Sequence, residues 1–299
     1  MTPLPPTMIP LRIRLNALIH ALRNIGALLA AGLLVSCSPL SVLNGLGPDR
    51  GYRDVTSISY GKEPRQRLDV YQPNVSRNGI VVVFFYGGGW NRGERAHYRF
   101  AAQALTRQGA TVVIADYRLH PEVVYPAFIE DAAAAVAWTH RNIARYGGDP
   151  QKIYLVGHSA GAHIVTLLAL DTQFLATQEL STKMLVGVVG LATPADFATT
   201  LGAQYRPAFV DQAKLDLAQP VRYARGDAPP MLLQHGADDT VVLPRNSLVL
   251  ADKIKAAGGQ AHAIIYPDTG HSGILLIFSE ILGRSPILDD TLDFLGLSR

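Results

Sequence analysis

The sequence predicts an α/β fold, a mostly parallel central sheet with helices on both faces and a small lid insertion. Short apolar runs alternate along the chain with longer helical patterns, which is the signature of βα units. Most of these runs are β-branched or aromatic and nearly unbroken, as expected of strands buried on both faces. At 299 residues, 48% of them hydrophobic, the chain can fill one large core. With only 17% charged residues it does not read as a disordered chain.

The elements follow in order. Thr56–Tyr60 and Arg67–Tyr71 are short enough to pair antiparallel at the start. The strand candidates are then Gly79–Phe85, Thr111–Ala115, Ile153–Val156, Leu185–Leu191, Met231–Leu233 and Ala261–Tyr266. Helical patterns fill the intervals at Glu94–Gln108, Ala127–Arg145, Ala160–Leu170 and Arg245–Ala257, with a last one ending near Leu297. One interval departs from the alternation. Phe197 to Arg225 is polar and broken by Pro and Gly, and reads as a small lid inserted between two strands.

The first 36 residues read as a targeting segment. Arg12, Arg14 and Arg23 precede an uncharged apolar run from Ile25 to Val35, too short for a comfortable bilayer span but suited to a signal peptide. The run ends in Leu34-Val35-Ser36-Cys37, which resembles a bacterial lipoprotein box. That resemblance implies cleavage before Cys37, lipid on its thiol and new amine, and a place in the cell envelope on a membrane, with Ser38 favouring the outer one in a two-membrane bacterium. An ordinary cleaved signal peptide would instead leave the chain secreted or periplasmic. Several acyl chains on one residue anchor stably, where one would not. Residues 37–53, rich in Ser, Gly and Pro, then form a tether to a domain spanning 54–299.

Placing the charges removes one class of partner. The pI near 9.0 suggests nucleic acid, but the leader holds three arginines and no acidic residue. The rest carries 24 basic against 24 acidic residues. The basic balance belongs to the leader, and no nucleic-acid partner is expected. Cys37 is the only cysteine, which excludes an internal disulfide and any CxxC site.

Chemistry concentrates just beyond the strand candidates. Gly157-His158-Ser159-Ala160-Gly161 follows one strand and opens a helix, the setting in which G-x-S-x-G forms a nucleophile elbow around Ser159. Tyr86-Gly87-Gly88-Gly89-Trp90 follows the strongest strand, and its glycines let backbone N–H groups approach a ligand. His235-Gly236-Ala237-Asp238-Asp239 and Asp268-Thr269-Gly270-His271 leave two later strands in the same way. Ligands of open parallel sheets bind at that edge. Nucleophile, acid and histidine therefore run in the order Ser159, Asp239, His271, unlike the order in chymotrypsin or subtilisin.

These segments resemble the α/β-hydrolase superfamily, and within it carboxylesterases near the hormone-sensitive-lipase and feruloyl/acetyl-xylan esterase groups. Leu68–Tyr71, Asp116–Leu119, Tyr125–Ala127 and Tyr146–Pro150 also match, so the resemblance covers most of the mature chain. It implies a serine esterase without metal or cofactor, acting on small or short-acyl esters. Ser159, His271 and Asp239 would be its catalytic residues, and the N–H groups of Gly88, Gly89 and Ala160 its oxyanion hole. Many relatives begin the glycine motif with histidine, where this chain has Tyr86. The family spacing H-G-x-x-D-x-x-V, counted from His235, selects Asp239 over Asp238 and leaves Asp238 to accept N–H bonds within the turn. Asp116 and Arg118 resemble family residues that brace the loop beneath the site and are expected to be structural, and His158 and His163 to be structural or to line the pocket. An amide hydrolase of the same fold stays open as an alternative, as does an inactive membrane-anchored binding module.

Overall fold

The computed structural model describes residues 51–75, 78–278 and 285–298. The leader, Cys37 and most of the tether lie outside the described residues. Eight strands form one sheet among them: β1 (Tyr52–Ser59), β2 (Arg67–Pro73), β3 (Val81–Phe85), β4 (Thr111–Ala115), β5 (Ile153–His158), β6 (Leu185–Leu191), β7 (Met231–Gly236) and β8 (Ala261–Tyr266). The helices are α1 (Arg99–Thr106), α2 (Ala127–Asn142), α3 (Ala160–Leu170), α4 (Thr172–Ala176), α5 (Gln212–Leu217), α6 (Arg245–Ala256) and α7 (Pro286–Phe294).

The sheet order is β1-β2-β4-β3-β5-β6-β7-β8. β2 pairs antiparallel with β1 and β4, and every pair from β4 to β8 is parallel. Every residue of β3 and β4 is buried, which explains their unbroken apolar runs. α2 packs on α3 and α3 on β5 and β6, while α1 meets the turn Gly273–Phe278, which in turn meets α7. All of α3 is buried, so the helix that follows Ser159 is held on every side.

The boundaries move where composition misleads. β1 begins at Tyr52, two residues inside the stretch read as tether, because Tyr52 is buried edge-on against Tyr71 with ring centroids 5.1 Å apart. β5 and β7 outrun their apolar cores because small and polar residues continue the pairing, Gly157 with Gly190 and Gly236 with Tyr266. The Phe197–Arg225 insertion folds around Gln219, whose Oε1 accepts from the N–H groups of Phe197 and Ala198 at 2.7 and 3.1 Å. Arg225 closes it by donating to the carbonyls of Ala169 and Leu170, where α3 would otherwise leave them unpaired.

Candidate active site

Ser159 stands at the carboxyl end of β5. Its N–H donates to Leu191 O on β6 at 2.9 Å, and its carbonyl accepts from His163 N–H at 3.0 Å as α3 begins. One residue thus ends a strand and starts a helix, which forces φ to 53° and ψ to −119°. A non-glycine residue there costs about 1–3 kcal/mol and persists only where the surroundings enforce it. The enforcement is close packing. A Cβ on Gly161 would lie 2.0 Å from Phe85 O, so only glycine lets α3 start against the end of β3.

His271 and Asp239 complete a chain of bonds. His271 Nδ1 lies 2.8 Å from Asp239 Oδ2, and its Nε2 lies 2.9 Å from Ser159 Oγ. An ionised carboxylate can only accept, so Nδ1 carries the proton and Nε2 is free to accept from the serine hydroxyl. Asp239 is buried, which by itself pushes its carboxyl up. Bonds from His235, His271 and the N–H of Val242 outweigh that and hold it well below the usual carboxylate range. Its other oxygen, Oδ1, accepts from the N–H groups of Val241 and Val242, both at 2.9 Å. Asp238 is exposed and contributes its N–H, not its carboxylate, by donating to Thr269 O at 3.0 Å. The turn-stabilising role expected of Asp238 therefore falls to Asp239, which uses one oxygen for the turn and one for His271.

His235 was not singled out by sequence reasoning as more than a spacing marker. Fully buried, it places Nε2 2.8 Å from Val242 O and 3.2 Å from Asp239 Oδ2, while Nδ1 sits 2.7 Å from Ser247 Oγ. Both Nε2 neighbours are acceptors, so the proton is on Nε2 and the Ser247 hydroxyl donates to Nδ1. The first histidine of the H-G-x-x-D spacing is a second donor to the carboxylate, and the spacing was its only sequence signal.

The glycine loop lies over the elbow. A Cβ on Gly87 would come within 3.0 Å of Ser159 Cβ, and Gly88 takes φ +133°, a conformation L side chains rarely adopt. Among the described residues, the N–H groups of Gly88, Gly89 and Ala160 donate to no other group. Ala160 also opens α3, where the helix dipole favours negative charge. Tyr86 explains itself by what it holds. Its hydroxyl donates to Asp116 Oδ1 at 2.7 Å and accepts from Arg65 at 2.9 Å, with its ring between those of Tyr98 and Tyr117. Asp116 also accepts from the N–H of Arg95 at 2.7 Å and pairs with its guanidinium, so it does brace the loop. Arg118 does not. It pairs with Asp131 on α2, which supplies the nearest carboxylate.

His158 and His163 hold main chain rather than a metal. His158 Nε2–H donates to His271 O at 2.9 Å, and His163 Nε2–H donates to Ala218 O at 2.7 Å while its Nδ1 accepts from Trp90 Nε1–H at 3.2 Å. Burial lowers both to about 4, so both rings are neutral at pH 7. Trp90 stacks on Phe197 and meets Phe209 edge-on, so its ring packs the insertion onto the site. Among the described residues, no group of three or more His, Cys, Asp or Glu side chains could hold a metal ion.

The BD-FAE family model matches residues 68–254. The chain belongs to the BD-FAE family. That match runs from β2 through most of α6 and contains the glycine loop, the elbow and Asp239; His271 lies 17 residues past its end. Among sequence relatives, this BD-FAE chain is 30% identical over 261 residues to the isoprenylcysteine alpha-carbonyl methylesterase ICME of Arabidopsis thaliana, covering 78% of this chain and 60% of ICME. It is 29% identical to the esterase LipC of Mycobacterium tuberculosis, covering 76% and 62%. The chain thus spans about 60% of the length of the curated relatives it matches. Among solved structures, esterase B of Lactobacillus rhamnosis superposes with a TM-score of 0.73 at 23% identity, over 94% of this chain and 95% of that one. A truncated carbohydrate esterase from gut microbiota gives 0.71 at 21%, over 83% and 97%. The fold is that of the α/β-hydrolases.

Proposed function

We propose that this chain is a serine esterase that hydrolyses carboxylic esters of small or short acyl groups through an acyl-enzyme. One observation carries the reading: Ser159 Oγ, His271 and Asp239 form an unbroken chain of 2.9 and 2.8 Å contacts at the end of the parallel strands. Ser159 attacks the ester carbonyl as His271 Nε2 takes its proton, and Asp239 stabilises the imidazolium. The N–H groups of Gly88, Gly89 and Ala160 receive the oxyanion. His271 then gives the proton to the leaving alcohol. Water, deprotonated by the same nitrogen, attacks the acyl-enzyme and releases the acid and free Ser159. The names of ICME and LipC, a methylesterase and an esterase, support ester over amide chemistry. The short insertion favours small esters over long triglycerides. The test is labelling with a fluorophosphonate followed by peptide mapping. Ser159 should carry the label, and Ser159→Ala should lower ester hydrolysis by roughly 10⁴- to 10⁶-fold. Hydrolysis by that variant within tenfold of the wild type would refute the assignment.

We further propose that the chain is held on a bacterial envelope membrane by lipid on Cys37. The support is the Leu34–Cys37 motif behind an apolar run. Among the described residues, no helix is long and apolar enough to cross a membrane. Wild type grown with labelled fatty acid should incorporate it, and Cys37→Ser should lose both the label and the membrane fraction while keeping esterase activity.

A further inference from the structure

A small, partly open pocket lies beside Gly89. Trp90, Phe197, Leu201, Tyr205, Val241 and Val242 wall it, and no charged side chain lines it. Apart from the Tyr205 hydroxyl and the Gly89 N–H, its polar groups are already bonded within the chain. Asn246 Oδ1 accepts from the N–H groups of Ala195 and Asp196, Asn246 Nδ2 donates to Leu243 O, and the Thr200 hydroxyl turns onto Phe197 O. A group entering this space meets mostly apolar surface and finds no side chain of opposite charge, so a charged group is disfavoured there.

The reaction geometry decides which half of an ester enters. The leaving oxygen must take its proton from His271 Nε2, so the alcohol lies on the His271 side. His271 does not line the pocket, whereas Gly89 does. We infer that this pocket receives the acyl group of the ester, that it selects short uncharged acyl chains, and that Tyr205 sets the upper chain length. The inference rests on the serine-esterase reading above. Tyr205 is the wall that can be changed with least cost to the core. Its ring stands where a Cβ on Gly89 would come within 2.3 Å, and it meets Trp90 edge-on at 6.4 Å. Trp90 and Phe197 are buried in the aromatic packing of the insertion, but Tyr205 is half-exposed at the start of the Arg206–Phe209 turn. Its side chain can be shortened without opening the core.

The test compares kcat/KM ratios across p-nitrophenyl esters of acetate, butyrate, hexanoate and octanoate. Tyr205→Ala should raise the octanoate-to-acetate ratio by roughly tenfold or more, as expected when room for added methylenes appears. Leu201→Trp, which adds bulk to another lining position, should lower the butyrate-to-acetate ratio. A series of acetates with lengthening alcohols should show no such shift. The wild type should prefer butyrate over the equally long but anionic hemisuccinate by at least about 100-fold. Fluorophosphonate labelling of Ser159 in each variant reports an intact site. Labelled variants with unchanged acyl profiles, or a shift seen only in the alcohol series, would overturn the pocket assignment and leave the esterase reading standing. A wild type that neither labels nor hydrolyses any ester would overturn both.

Discussion

The imidazole of His158 donates a hydrogen bond to the main-chain carbonyl of His271, 2.9 Å away and 113 residues later in the chain. The residue beside Ser159 therefore holds the backbone of His271, the proposed general base. The two rings sit 5.1 Å apart, and His158 Nδ1 is buried without a partner against the glycine loop, 2.8 Å from where a Gly87 Cβ would be. His271 is thus fixed twice, through its ring by Asp239 and through its carbonyl by His158.

His158→Leu should therefore lower kcat by roughly 10- to 100-fold, the cost of loosening a reacting group by a fraction of an ångström to an ångström. His158→Gln carries an N–H near the position of Nε2 and should recover most of the loss. Steady-state kinetics with thermal melts check this. Equal activity in the two variants would mean that the ring acts by volume alone.

Acid should destabilise the fold in a defined window. His158 and His163 ordinarily titrate near 6.5, and burial lowers both to about 4 in the native state. Between those values the unfolded chain takes up protons that the native chain refuses, so stability falls as pH drops from 6.5 towards 4 and is fully present above 6.5. Asp239, held below its ordinary value, adds a further loss as pH falls below about 4. Urea midpoints at pH 7, 5.5 and 4.5 should trace this decline. His163→Gln should reduce the slope by up to about one proton per molecule.

Much of the site was legible because its signals are local. Ser159 sits in a strand-turn-helix segment, and His271 directly follows a strand. The sheet was legible because burial on both faces leaves unbroken apolar runs such as Thr111–Ala115, recovered with the same bounds as β4. What escaped depends on contacts between distant segments. Nothing near His158 points to a carbonyl 113 residues away, and nothing near Arg118 shows that Asp131 is its partner. Tyr52 was lost to the composition around it, since Ser, Gly and Pro before it mask a tyrosine that packs on Tyr71. His163 and Trp90 lie 73 residues apart in the chain, and only their 3.2 Å bond shows that they join α3 to the glycine loop.

Tyr86→Phe tests whether the glycine loop is held from below. Burial, followed by Tyr117 and Asp116, pushes the Tyr86 phenol well above its usual range, so it keeps its proton and donates to Asp116. Phenylalanine keeps the ring stacking but removes the donor to Asp116 and the acceptor for Arg65. A bond to a charged group contributes about 1.5–3 kcal/mol, and a loss of that order is expected in chemical denaturation. kcat should fall more than KM rises, because the displaced loop carries the proposed oxyanion donors. An unchanged kcat would show that Tyr86 stabilises the fold without positioning the loop.

The adjacent aspartates give the sharpest contrast. In Asp239→Asn the amide oxygen can still take the N–H groups of Val241 and Val242 in place of Oδ1, so the turn survives. The amide nitrogen then replaces Oδ2, the atom that faces both His271 Nδ1 and His235 Nε2. Two donors would oppose each other at His235. At His271 the amide N–H would favour the tautomer with the proton on Nε2, which cannot accept from Ser159. kcat should fall by roughly 10³- to 10⁴-fold. Asp238 is exposed and uses only its N–H, so Asp238→Asn should change kcat by less than about tenfold and stability by about 0.5 kcal/mol or less. Measured side by side on one activated ester, a crippled Asp238→Asn beside an active Asp239→Asn would contradict the arrangement. The pH dependence adds a second reading. If the amide acts through the tautomer of His271, activity of Asp239→Asn should rise at alkaline pH, where hydroxide can remove the Nε2 proton, whereas a misfolded variant would show no such recovery.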